Sequence, residues 1–214
     1  EVFLDRYKNL NAVKSYTEMY DDAIALMTSA DLAAFDLKKE DQAIRDRYGS
    51  DRFGQGVLLA RRLIDQNVRF VEVQYGGWDT HQNNFVNVPQ KAGVVDQALS
   101  ALIKDLEMRG KLEETLIVLA TEFGRTPNIN KNEGRDHYPK AFSCLFAGGG
   151  IKGGVAYGKT DPEGREVIEN KVSIQDFNAT IAYAMGIPHD QALFAPNGRP
   201  FKFANGGEPL TELF

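Results

Sequence analysis

Residues 68–75, with the sequence VRFVEVQY, decide the fold expected for this chain. β-Branched and aromatic residues dominate the stretch, which is typical of a β-strand. Residues 115–121 (TLIVLAT) form an unbroken apolar run, as in strands that are buried on both faces of a parallel sheet. Between the two, residues 89–109 carry apolar side chains at helical spacing. The order strand, helix, strand predicts a βαβ unit over residues 68–121, with a right-handed crossover.

The rest of the chain extends this unit to one α/β domain that spans residues 1–214. Residues 1–50 are predicted to form a helical lead-in, and residues 51–214 the core. Residues 142–147 indicate a third strand, and residues 173–185 an amphipathic helix that begins with a capping box of Ser173 and Asp176. We therefore expect a mostly parallel sheet with helices on both faces.

Composition narrows the classes of function. The chain has 214 residues, of which 43% are hydrophobic and 26% charged, values close to those of ordinary globular proteins. No apolar run is long enough to predict a membrane span. A net charge of −5 argues against a nucleic-acid partner. The single cysteine, Cys144, excludes an internal disulfide and a cysteine-built zinc site.

Polar residues follow both predicted strands at the point where each strand ends. Residues 76–84 (GGWDTHQNN) follow the first strand, and residues 122–127 (EFGRTP) follow the second. The carboxyl ends of parallel strands lie at one edge of a sheet, and ligands bind in the crevice there. The loop over residues 128–140, which contains GRDHYP, begins at the same edge. We expect all three segments to contribute side chains to one crevice.

The residue types in these segments indicate a metal site. Asp79 and His81 are two positions apart, so both point the same way in an extended segment. Glu122 would add an oxygen ligand, and Asp136 or His137 would complete the shell. Nitrogen and oxygen ligands without a thiolate favour Zn²⁺, Mn²⁺ or Fe, and fit Mg²⁺ or Ca²⁺ less well.

Basic residues near the same edge suggest that an anion binds there. Arg125 and Arg135 could hold a tetrahedral anion by bidentate hydrogen bonds. Lys152 lies in the glycine-rich stretch at 148–154, whose backbone amides could line an anion pocket. That stretch lacks the ending of a phosphate-binding loop, so a tight connection between strands is the favoured interpretation.

Each candidate also has a purely structural interpretation. Asp79 could cap a turn, and His81 could be a hydrogen-bonded loop histidine. Glu122 and Arg125 could form an ion pair at a strand end. The third histidine, His189, follows a helix stop and is interpreted as a surface residue. Only the joint placement of the other candidates at one edge favours the functional interpretation.

The motifs resemble those of domain-of-unknown-function family 1501 from about residue 47 to the end of the chain. The strings that carry the resemblance are RFVEVQYGGWDTHQNN, TEFGRTP, GRDHYP, AGGGIKGG with YGKTD, and VSIQDFNATIAYAMGI. This family is similar to the sulfatase-like proteins of the alkaline phosphatase superfamily. The resemblance implies a metal-dependent hydrolase of phosphate or sulfate esters, exported to the periplasm or cell exterior of a bacterium. It also implies that an N-terminal part of the sheet, with the nucleophile, precedes this chain.

Carried over by residue, the resemblance places Asp79 and His81 at the superfamily's Asp-x-x-x-His ligand pair. Glu122 and Phe123 take the place of its Asp-His pair, and His137 that of a late histidine. This chain departs from the pattern because its first spacing is Asp-x-His and because Phe123 replaces a histidine. No residue stands out as the nucleophile. The alternative hypothesis is therefore an inactive binding or scaffold module with the same fold.

Overall fold

The structure is a computed structural model that describes residues 10–214. It contains two compact units, of which the first ends at Gln74 and the second covers Tyr75–Phe214. Residues 1–9 of the predicted helical lead-in lie outside the described residues. The expectation of one domain over residues 1–214 stays a prediction.

The described part of the first unit contains helices and 3₁₀ turns up to Asp65, and the helical lead-in over residues 1–50 stays a prediction. Its α-helices are α1 (Asn11–Thr28), α2 (Gln42–Tyr48) and α3 (Arg52–Asp65), with 3₁₀ turns at Ala30–Phe35 and Leu37–Lys39. Helix α1 has no buried residue, whereas α3 supplies much of the core of this unit.

Helix α3 is fixed by a cap at its start and by charged partners near its end. The Asp51 carboxylate accepts hydrogen bonds from the first backbone N–H groups of the helix, which have no partner within it. Leu58 is fully buried on the apolar face. The Arg61 side chain is only 2% exposed, and its guanidinium lies 2.7 Å from Glu40 and 2.9 Å from Asp65. Two carboxylates thus compensate the charge that this helix buries.

The second unit combines two long helices with short strands. Helix α4 covers Asn84–Met108 and begins earlier than the helix predicted from periodicity. Helix α5 covers Ile174–Ala184, and a 3₁₀ turn follows at Thr211–Leu213. The predicted capping box of α5 is confirmed, because the Ser173 hydroxyl accepts from the Asp176 N–H and the Asp176 carboxylate accepts from the Ser173 N–H. The strands are β1 (Ile117–Leu119), β2 (Gly124–Arg125), β3 (His137–Tyr138), β4 (Leu145–Ala147), β5 (Lys159–Thr160), β6 (Val167–Glu169), β7 (Ala192–Phe194) and β8 (Pro200–Lys202).

Strand pairing contradicts the predicted parallel sheet. The described strands form four separate two-stranded sheets, β1 with β4, β2 with β3, β5 with β6 and β7 with β8. All four pairs are antiparallel. The prediction of a mostly parallel, alkaline-phosphatase-like or sulfatase-like sheet with helices on both faces is therefore wrong.

The two stretches that predicted the βαβ unit account for the error. Residues 68–75 pair with no other strand among residues 10–214, and Phe70 is 72% exposed. Within 115–121 only Ile117–Leu119 is a strand, and its neighbour is the antiparallel β4. Residues Val118 and Leu119 are each 37% exposed rather than buried on both faces. An apolar run indicates extended backbone, but the partner and its direction depend on contacts far away in the sequence.

Among residues 10–214, no helix is both long enough and apolar enough to span a lipid bilayer.

The buried ion pair between Arg61 of α3 and Glu40 is expected to contribute to the stability of the first unit. Replacing Glu40 by alanine leaves the Arg61 charge buried with fewer partners, so the free energy of unfolding should fall by about 3 kcal/mol. Chemical denaturation measures this change. The exposed pair of Lys14 and Glu18 supplies the control, because Glu18→Ala should cost at most about 0.5 kcal/mol. Equal losses of unfolding free energy in the two variants would contradict the conclusion that Glu40 compensates the buried charge of Arg61.

Candidate metal centre

A short antiparallel pair brings two of the candidate side chains together. Strand β2 pairs with β3 so that Arg125 lies opposite His137 and Gly124 opposite Tyr138. The guanidinium of Arg125 also donates to the carbonyl of Arg135, at 3.2 Å. The second and third polar segments therefore meet through strand pairing, although not at the edge of a parallel sheet.

Hydrogen bonds attach the loop before β3 to the segment that contains Asp79 and His81. The N–H of Arg135 donates to the carbonyl of Thr80 at 3.1 Å. The side-chain amide of Asn130 donates to the carbonyl of His81, also at 3.1 Å. Both contacts end on backbone carbonyl groups. They therefore hold the first polar segment against the third independently of the side chains of Asp79, His81 and His137.

Three side chains converge where these segments meet. The Nε2 atom of His81 lies 3.0 Å from Oδ1 of Asp79, and Nε2 of His137 lies 2.9 Å from the same oxygen. The two Nε2 atoms are 3.2 Å apart. Two imidazole nitrogens and one carboxylate oxygen, one from each residue, thus lie within 4.8 Å of one another. The side chains of all three are at least 41% exposed, so the cluster is open to solvent.

Neighbouring groups orient both imidazole rings. The Nδ1 atom of His81 lies 2.7 Å from Oδ1 of Asp136. The same oxygen accepts from the amide of Asn130 at 3.1 Å. The ring of Phe123 packs against the ring of His137, with centroids 4.4 Å apart. Asp136 therefore holds His81 with Nε2 facing Asp79, and Phe123 limits the rotation of His137.

Charged partners keep both carboxylates ionised. The Arg125 guanidinium, 2.6 Å from Asp79, and then the His137 imidazole lower the pKa of Asp79 to about 2. The hydrogen bond from His81 and then that from Asn130 lower the pKa of Asp136. Both side chains are therefore anionic and available as acceptors near neutral pH.

Comparison with known proteins gives a family but no activity. A family model described as "Protein of unknown function (DUF1501)" matches residues 1–214. The chain belongs to this family. A search of curated proteins and a search of solved structures each found no match. The predicted family resemblance of this DUF1501 chain is confirmed, whereas its sulfatase-like relationship stays a prediction.

The three cations predicted to bind an anion all have partners within the DUF1501 chain. Arg125 contacts the Asp79 carboxylate. The Arg135 guanidinium donates to the carbonyls of Thr126 and Pro127. Lys152 donates to the carbonyl of Glu212 at 3.0 Å, in the C-terminal 3₁₀ turn. Their role in anion binding stays a prediction.

The other predicted ligands have different positions. Glu122 is exposed and is not among the three residues whose ligand atoms converge. Asp136 contacts His81 on the side of the ring away from Asp79, so its place in the cluster is that of an orienting group. Sequence reasoning missed Asn130, which holds both Asp136 and the His81 carbonyl, because an asparagine in a polar loop carries no distinctive pattern.

An open cavity of about 150 Å³ lies beside the cluster. Asp136, which orients His81, forms part of the cavity wall. Polar side chains and two apolar ones line this cavity, namely Thr126, Pro127, Asn128, Ile129, Asn130, Asp136, Tyr138 and Arg165.

The close approach of Gly134 to His81 tests how the loop is positioned. A Cβ at residue 134 would overlap the His81 carbonyl and lie 2.6 Å from the Gln82 nitrogen. Gly134→Ala should therefore lower the free energy of unfolding by about 2 kcal/mol and shift the NMR signals of His81. Gly153→Ala, where the new Cβ meets nothing within 4 Å, is the matched control. Equal stability of both variants would show that the loop does not need this contact.

The Asp79 carboxyl gives a test of the electrostatics. Arg125→Gln removes the largest cause of the lowered pKa, so the pKa of Asp79 should rise from about 2 toward its ordinary value of 3.8. Carboxyl ¹³C shifts followed by NMR from pH 1.5 to pH 6 measure the change, with Arg199→Gln as control. Because the folded-state pKa is lowered, Asp79 stabilises the fold fully above about pH 4, its unfolded range, and loses that contribution as the pH falls through about 2. An unchanged titration would contradict the assigned role of Arg125.

Proposed function

We propose that Asp79, His81 and His137 bind one divalent transition-metal ion. The observation that carries this proposal is the convergence of two Nε2 atoms and one Oδ1 atom at separations of 2.9 to 3.2 Å. Ligands at roughly 2.0–2.2 Å from an ion lie roughly 2.8–3.1 Å apart at the right angles of octahedral geometry and roughly 3.3–3.6 Å apart in tetrahedral geometry. Small side-chain adjustments would therefore accommodate an ion.

The hydrogen bond to Asp136 makes a cation at this position favourable. A neutral His81 that donates from Nδ1 to Asp136 presents the lone pair of Nε2 to the Asp79 oxygen 3.0 Å away. Two acceptors at this distance repel each other unless a metal ion or a second proton lies between them. A carboxylate behind a histidine is the usual arrangement around metal ligands, because it fixes the tautomer and the direction of the ring.

The donor types favour Zn²⁺, Mn²⁺ or Fe over Mg²⁺ or Ca²⁺. Three protein ligands leave coordination positions open, which is typical of catalytic rather than structural sites. The open, exposed cluster agrees with this requirement.

We further propose that the site hydrolyses a phosphate or sulfate ester. A bound divalent ion would polarise an ester oxygen and acidify a water molecule near neutral pH. A metal-bound water molecule is the nucleophile that suits this chain, because the nearby threonine hydroxyl groups already donate hydrogen bonds to other groups of the protein. The Thr80 hydroxyl is buried and donates to Asn84 at 2.6 Å, and the Thr126 hydroxyl donates to the carbonyl of Asn128 at 2.9 Å. Activity by this chain, and its export from the cytoplasm, remain proposals.

A scaffold role is the second candidate, and one contact favours it. Arg125 lies 2.6 Å from the Asp79 oxygen that both imidazoles approach. A cation is therefore already present at the carboxylate, and the cluster would then be an ion-pair network that stabilises the loops. This candidate predicts a folded protein with no stoichiometric metal.

Metal titration of the chelator-treated chain separates the two candidates. We expect one Zn²⁺ or Mn²⁺ per chain by isothermal calorimetry and elemental analysis, with Asp79→Ala and His81→Ala losing at least roughly a hundredfold in affinity. Asp136→Asn should lose roughly 10- to 100-fold, because it removes the group that orients a ligand. His189→Ala, which changes a histidine outside the cluster, is the control and should bind as the parent does.

The reaction is tested with the same proteins. Cleavage of p-nitrophenyl phosphate or p-nitrophenyl sulfate should require the metal and disappear in His137→Ala, but not in His189→Ala. Stoichiometric metal without cleavage would restrict the site to metal binding. A folded chain with no bound metal would establish the scaffold candidate instead.

A further inference from the structure

The cavity beside the cluster brings one more cation close to Asp136. Arg165 lines the cavity together with Asp136, and so lies on the same small concave surface as the group that orients His81. Among the described residues, its side chain makes one hydrogen bond, from Nη2 to Oδ1 of Asn128 at 3.2 Å. A neutral amide oxygen does not offset a guanidinium charge.

Arg165 differs in this respect from Arg125, which has the Asp79 carboxylate as its partner. The Arg135 guanidinium has neutral partners too, but it is held in place by two carbonyls and lies 5.7 Å from the centre of the Phe85 ring. Within residues 10–214, no carboxylate forms an ion pair with Arg165. The charge of Arg165 is therefore available to a ligand in the cavity.

Backbone contacts fix the position of Arg165. The Tyr138 hydroxyl donates to the carbonyl of Arg165 at 2.8 Å, and the Asp161 carboxylate accepts from the N–H of Arg165 at 2.6 Å. Tyr138 follows the metal-ligand candidate His137 in β3. The loop of Arg165 is thus tied directly to the strand of the cluster. Because both contacts use backbone atoms of residue 165, a side-chain substitution leaves them intact.

We propose that this cavity binds one tetrahedral oxyanion, a phosphate or sulfate group, with Arg165 as its anchor. In the ester hydrolase proposed above, on which this assignment to a substrate rests, it would hold an anionic group other than the ester at the metal, because none of Asp79, His81 and His137 lines the cavity. Guanidinium groups bind tetrahedral oxyanions through paired, charge-assisted hydrogen bonds. Asn128, which accepts from Arg165 through Oδ1, retains its NH₂ group as a donor for the same anion. The ionised Asp136 repels an anion, so the group binds at the Arg165 side of the cavity.

The size of the cavity limits what it holds. Pockets that enclose a whole small-molecule ligand usually measure roughly 300–1,000 Å³. A volume of about 150 Å³ suits one sulfate or phosphate group, whereas the remainder of the substrate, including the ester at the metal, would lie outside. Specificity for the organic part of the substrate is therefore expected to be low at this subsite.

Binding of inorganic phosphate and sulfate tests the subsite without a known substrate. We expect amide NMR shifts at Thr126 and at residues 128–130 on addition of either ion, and at least about a tenfold loss of affinity in Arg165→Gln. Arg165→Lys should recover part of the affinity because it keeps the charge. Arg199→Gln, which changes an exposed arginine in the turn after β7, is the control. Acetate serves as the third probe and should bind more weakly than either tetrahedral ion.

The metal content of every sample is measured alongside, so that the two proposals fail separately. Loss of phosphate binding in Arg165→Gln with unchanged metal content supports the subsite. Unchanged phosphate binding in that variant, or no binding by the parent chain, overturns the subsite whether or not the metal binds. Binding that depends on Arg165 in a chain without metal keeps the anion site and rejects the hydrolase.

Discussion

The candidate site depends on one close approach, that of the loop around Gly134 to the backbone at His81. A side chain at residue 134 would occupy the space of the His81 carbonyl, so only glycine permits this contact. The contact brings Asn130 and Asp136 within hydrogen-bonding distance of His81. The antiparallel pairing of β2 and β3 then adds Arg125 and His137 from the other side. Without the loop contact, the segment that carries Asp79 and His81 would not be held against the segment that carries His137.

Charge balance explains how such a cluster is compatible with a stable fold. Two ionised carboxylates, Asp79 and Asp136, lie beside two imidazoles and the Arg125 guanidinium. The carboxylates and imidazoles are 41% to 65% exposed, which reduces the cost of desolvating them, so the cluster does not need complete internal compensation. In the metal site proposed above, a neutral His81 that donates from Nδ1 to Asp136 would point its Nε2 lone pair at Asp79, and a cation between the two would relieve their repulsion. That local repulsion is the physical basis for the proposed metal.

Three of the predicted ligands converge although the predicted fold is wrong. A parallel sheet would place residues 76–84, 122–127 and 128–140 at one edge, and residues from all three segments do meet. They meet through an antiparallel pair and a tethered loop, because β1 has only β4 as a neighbour and residues 68–75 pair with no described strand. Asp79, His81 and His137 were predictable from residue type and spacing. Asn130 and Arg165 were not, because their roles arise only from contacts with distant segments.

What the sequence determined by itself is the local structure and the chemical inventory. Periodicity and capping residues gave the helices, including the capping box of Ser173 and Asp176, because those interactions span only a few positions. The scarcity of histidine and cysteine limited the possible metal ligands before any fold was known. Tertiary structure alone decided the partner and direction of each strand, and whether a carboxylate faces the cluster or supports a histidine from behind. Those choices depend on contacts such as that between Asp136 and His81, 55 positions apart, for which short-range patterns hold no information.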